Sequence, residues 1–83
     1  ADVFTLDARA WALVASGRVE EAEHTIARAL AEGTNDARLF LHAGVIHDAA
    51  GRKNEARRWL KQAEALRSML LPSEAAALTA RLT

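Results

Sequence analysis

Gly17 and Gly51 stand 34 residues apart, and much of the chain around them keeps the same offset. It carries Arg18 onto Arg52, Glu21 onto Glu55, Ala22 onto Ala56 and Ala29 onto Ala63. It also carries Ile26 onto Leu60, Leu6 onto Phe40, Ala10 onto Gly44 and Asp2 onto Asp36. Alanine pairs arise by chance in an Ala-rich chain. Turn glycines, the arginines after them and the Glu-Ala pairs do not line up together so easily. A fixed period of this length means one supersecondary unit used twice, each too small to bury its apolar faces alone.

The unit reads as a helical hairpin. Ala, Leu, Arg and Glu dominate, there is no Tyr, and β-branched residues are few, so a sheet is disfavoured. The breakers Gly17, Gly33, Gly51 and Pro72 divide the chain into helical stretches over 3–16, 19–32, 35–50, 53–69 and 73–82. Asp2 reads as the first N-cap and Thr34 or Asn35 as the third. Leu6, Ala10 and Leu13 share one stripe of the first helix, with Phe4, Trp11 and Ala15 beside them. Ala22, Ile26, Ala29 and Leu30 line the second helix. Phe40, Gly44 and His47 form one stripe of the third, and Leu41, Val45 and Ala49 the other. Ala56, Leu60, Ala63 and Leu66 face inward on the fourth, Leu78 and Leu82 on the fifth, and Trp59 is expected to cover that last helix. Ala10 with Ala22, and Gly44 with Ala56, supply the small side chains that let each hairpin close. At 83 residues the expectation is one all-α domain of five helices spanning 1–83, with unit one over about 3–36, unit two over about 37–70, and a closing helix over about 73–82.

These stretches resemble the tetratricopeptide repeat family. The matching segments are Ala10-Trp11-Ala12-Leu13, Gly17-Arg18-Val19-Glu20-Glu21-Ala22, Ile26 and Ala29, then Gly44, Gly51-Arg52-Lys53-Asn54-Glu55-Ala56, Leu60 and Ala63. Departures are Arg9 and Ala43 where the family carries leucine, His47 in place of a large apolar residue, and Thr34 and Ser68 where proline is common. The resemblance implies an α-solenoid of antiparallel hairpins that binds a protein or peptide on a concave face built from first helices. That face maps onto Phe4, Asp7, Trp11 and Val14 of the first helix and Arg38, Leu41, Val45 and Asp48 of the third. The alternative use of the same stripe is structural: packing on a neighbouring repeat or forming a homodimer, with no ligand of its own. Members that clamp a chaperone's C-terminal carboxylate do so with lysines and asparagines. Asp7, Trp11, Arg38 and His42 occupy those positions here, so that ligand is not expected.

Other function classes fit poorly. Eleven basic residues balance eleven acidic ones, with the signs interspersed, so nucleic acid is not an expected partner. The run Arg52, Lys53, Arg57, Arg58 and Lys61 reads as a solvated outer face beside Glu55 and Glu64. No apolar run reaches a membrane span. There is no cysteine, no phosphate-binding glycine loop and no nucleophile elbow, so neither an enzyme nor a cofactor is expected. Ser16 and Ser73 read as cap or turn residues. His42 and His47 are five apart and diverge on a helix, His24 lies on another helix, and no metal site is expected. Lack of cysteine leaves the compartment open, the cytoplasm being slightly favoured. Ala- and Arg-rich usage suggests a bacterial source, and the start at Ala1 reads as that of a processed product or an excised piece.

Overall fold

Asp2 opens the first helix by accepting the Thr5 N–H at 2.8 Å. The computed structural model describes residues 2–83 and contains five α-helices. They are α1 (Val3–Ala15), α2 (Val19–Leu30), α3 (Ala37–Ala49), α4 (Lys53–Ala65) and α5 (Pro72–Leu82), with a 3₁₀ turn at Arg67–Met69 before α5. The fold is all-α, and the described residues form no strand.

The two glycine turns are built alike. Gly17 and Gly51 have φ of +83° and +81°, in the left-handed region where a side chain is strained. After each, the arginine N–H donates to the carbonyl five residues back, Arg18 to Leu13 and Arg52 to His47, both at 2.9 Å. These bonds occupy carbonyls that the ended helix leaves free. α1 folds onto α2 and α3 onto α4 across these turns, and α3 also touches α1 and α2.

The core follows from the small-residue stripes. Val3, Leu6, Ala10, Ala22, Ile26, Ala29, Leu39, Ala43 and Ile46 form one cluster. Phe40, Leu41, Leu60, Ala63 and Leu78 form a second, flanked by Val45, Leu66, Leu70 and Leu82. α3 stands between them and buries residues on most of its circumference. This corrects the two-stripe expectation: Leu39, Ala43 and Ile46 are buried as well, and Ala49 is exposed. A helix with neighbours on several sides buries more than one stripe.

Other boundaries also move. The N-cap of α3 is Asp36, not Thr34 or Asn35, and its carboxylate accepts the Leu39 N–H at 3.1 Å. α4 ends at Ala65, because Leu66 leaves helical geometry with φ −115° and ψ 25°. Arg67 then turns toward α5, donating to the Ala75 carbonyl at 3.2 Å and the Thr79 hydroxyl at 2.7 Å. Trp59 packs at the edge of the cluster that Leu78 of α5 completes. It stacks on Phe40 with ring centroids 5.4 Å apart, beside Leu30 and the α2–α3 turn.

α5 lies along α3. Arg38 and Glu74, near the starts of the two helices, pair at 2.6 Å. Asp48 and Arg81, near their ends, approach to 3.5 Å. The helices therefore run in the same direction. Leu78 is the buried anchor of α5, and Glu74 accepts the Leu71 N–H at 2.8 Å to start the helix.

Candidate functional site

The residues expected to form one continuous concave stripe separate into four environments. Phe4, Asp7, Trp11 and Arg38 line a single groove between α1 and α3, with Ala8, Asp36, His42 and Met69. Its volume is about 400 Å³. Leu41 and Val45 do not belong to it. Leu41 is 4 % exposed within the second core cluster, and Val45 packs at that cluster's edge. The reason is α5, whose Leu78 and Leu82 join the same cluster. Asp48 faces another hollow with Lys53, Arg57 and Arg81, and Val14 packs on the first cluster.

The groove has a buried polar base under exposed rings. The His42 Nδ1–H donates to Asp7 Oδ1 at 2.7 Å, and both side chains are mostly buried. An ionised carboxylate only accepts, so this bond puts the proton on Nδ1. Trp11 stacks on the same imidazole, with ring centroids 4.1 Å apart and planes 18° apart. Trp11 is still 40 % exposed, Phe4 66 % and Met69 52 %. Phe4, Ala8 and Trp11 share one helix face by their spacing, and the small Ala8 leaves a gap between the two rings. An Asp–His pair is also part of a nucleophilic triad, but no Ser or Thr is among the residues lining this groove.

Sequence reasoning placed Asp7, Trp11, Arg38 and His42 on one face but did not foresee the Asp7–His42 bond. The signal was the repeat offset plus one residue, which sets a side chain of α1 beside one of α3. The other histidine pairing was missed outright. His47 donates to Glu23 at 3.1 Å and lies 3.7 Å from Glu55, while Arg52 also donates to Glu23 at 2.6 Å. That network ties α2 to α3 and to the start of α4, and explains how a histidine is held in a buried position. Asp48 pairs with Lys53 at 2.6 Å, not with its neighbour His47. No cluster of three or more His, Asp or Glu among the described residues is arranged to hold a metal ion. None of the helices is long and apolar enough to cross a membrane.

Two carboxylates that fasten α5 to α3 have lowered pKa values. The Leu71 N–H lowers that of Glu74 most, burial opposes it, and the Arg38 guanidinium lowers it further. For Asp48 the Lys53 ammonium acts most strongly, burial opposes it, and Arg81 adds to the lowering. A carboxyl with a lower pKa when folded stabilises the fold above its ordinary value, 4.5 for Glu74 and 3.8 for Asp48. That contribution is lost as pH falls through the folded values. Acid is therefore expected to loosen α5, by less than about 1 kcal/mol because these pairs are partly exposed. Amide exchange of α5 followed down through the carboxylate range checks this. Glu74→Gln should flatten the pH dependence, and an unchanged profile in that variant would rule out Glu74 as its source.

Comparison with known proteins returned no match to a family model, a curated protein or a solved structure.

Proposed function

We propose that the chain is a segment of a tetratricopeptide-type solenoid, two hairpins closed by α5, whose α1–α3 groove binds a protein or peptide segment. Support for the architecture comes from the 34-residue offset, the matched glycine turns and the shared direction of α3 and α5. The function rests on one observation above all. Phe4 and Trp11 stay exposed over a groove whose buried polar atoms, Asp7 and His42, are already bonded to each other. A base whose two buried side chains bond each other costs less to cover than a free charge, and exposed aromatics are frequent hot spots of recognition.

The test is selection of binding peptides from a displayed library, followed by titration against Phe4→Ala/Trp11→Ala. Both side chains project outward, so the helical circular dichroism should be unchanged. Affinity should fall roughly thirtyfold or more, the scale of a hot-spot loss. Selected peptides that bind the double variant as tightly would sink the proposal. The same exposed patch supports a second reading, self-association with no separate ligand. It predicts a concentration-dependent dimer in sedimentation that the same double variant abolishes.

A further inference from the structure

The charge around the groove says what kind of segment fits it. This inference rests on the groove being a binding site and goes on to the chemistry of its occupant. Among the described residues that line the groove, Asp7 and Asp36 are acidic and Arg38 is the one cation. Arg38 is already held by Glu74 at 2.6 Å, so its charge is matched. Among the described residues no lysine or arginine pairs with Asp7 or Asp36, and the ionisable ring beside Asp7 is that of His42. Asp7 Oδ1 takes the His42 N–H and Asp36 Oδ1 the Leu39 N–H, and the second oxygen of each has no partner among the described residues. Among the described residues no fully buried side-chain oxygen or nitrogen lacks a partner, so neither second oxygen is wholly shut off from solvent. Counting carboxylates and guanidinium alone, Asp7, Asp36 and Glu74 outnumber Arg38 by two.

The walls suit a cation as well. Trp11 uses one ring face on His42, and Phe4 is two-thirds exposed. Their Cα atoms are about 10 Å apart along α1, the rise of seven helical residues. Ala8 lies between them. A guanidinium or ammonium group in that gap meets ring faces and unsatisfied carboxylate oxygens together. We infer that the groove takes an arginine or lysine side chain flanked by apolar residues, presented by another protein, with its charge on Asp7 and Asp36 and its neighbours on Phe4, Trp11 and Met69.

A second copy of this chain fits less well. Groove against groove would oppose like charges. The exposed basic face of α4, with Arg57, Arg58 and Lys61, carries none of the chain's exposed large apolar residues. Among the described residues those are Phe4, Trp11 and Met69 in the groove and Leu71 at the start of α5.

The experiment uses three capped peptides of one sequence, with Arg, citrulline or Glu at a central position between leucines. Each is titrated at millimolar concentration while the indole N–H resonance of Trp11 is followed, at low and high salt. The Arg peptide should bind about tenfold more tightly than the citrulline peptide and weaken with salt, and the Glu peptide should bind worst. Asp7→Asn and Asp36→Asn keep the local hydrogen bonds and should each shrink the Arg–citrulline difference, with helicity unchanged. Equal binding of Arg and citrulline peptides would overturn the cation inference and leave the groove reading standing. Preferred binding of the Glu peptide would overturn it in favour of Arg38. Silence from all three peptides, or a dimer that buries Trp11, would overturn both.

Discussion

Gly44→Val is expected to unfold most of the protein or cost about 3 kcal/mol or more. Gly44 sits in α3 where α4 crosses it. A Cβ built there would come 2.6 Å from Leu60 Cγ, closer still to its Cδ2, and 3.3 Å from the Ala56 carbonyl oxygen. Leu60 cannot swing away freely, because it is 5 % exposed among Phe40, Leu41, Ala63 and Leu78. Alanine at 44 gains about 1 kcal/mol of helix propensity, which offsets part of the displacement of Leu60. Valine adds two further methyl groups against a backbone carbonyl, so the helices must separate. A domain of this size has only about 5–10 kcal/mol to lose. Urea unfolding of the three proteins should rank glycine above alanine and alanine well above valine. Adding Leu60→Ala to Gly44→Val should restore part of the loss, since the two changes act on one contact. A valine variant with the native midpoint would mean that α3 and α4 do not cross this closely.

That crossing is also where the sequence was most readable. The repeat offset paired Gly44 with Ala10, which is fully buried, and Gly51 with Gly17, which shares its backbone geometry. It also paired Asp36 with Asp2, and both turn out to cap their helices through the side chain. Judging α3 by its local sequence alone put the cap too early. Periodicity failed where the number of neighbours mattered. Leu39 and Ile46 are buried because α3 touches several other helices, and a single-helix pattern carries no count of those. The groove failed for the opposite reason, by trusting the repeat too far. The offset makes Leu41 the counterpart of Asp7 and Val45 that of Trp11, but only the first unit keeps this face open. α5 covers the second, and no symmetry between the units foretells that.

Leu78→Ala should release α5 from the rest of the fold. Leu78 is the only residue of that helix classed as buried among those described, and its exposure is 0 %. Truncating a leucine at such a site costs about 2–5 kcal/mol. What remains is Leu82 at the cluster's edge, the bonds from Arg67 to Ala75 and Thr79, and the partly exposed pairs Arg38–Glu74 and Asp48–Arg81. Exposed pairs of this kind contribute a few tenths of a kcal/mol to about 1 each. An isolated helix of 11 residues does not hold its own structure in water. Hydrogen exchange is therefore expected to accelerate across α5 while α1 and α2, whose core cluster Leu78 does not touch, keep most of their protection. Equal acceleration in all five helices would mean that α5 belongs to one cooperative unit and is not a separable cap. Detachment has a functional consequence that can be measured in the same sample. It uncovers Leu41 and Val45, the counterparts of Asp7 and Trp11 in the second unit, and so lengthens the groove along α3. Apolar peptides should then bind the Leu78→Ala protein better than the parent, whereas a peptide held by its cation at Asp7 and Asp36 should gain little.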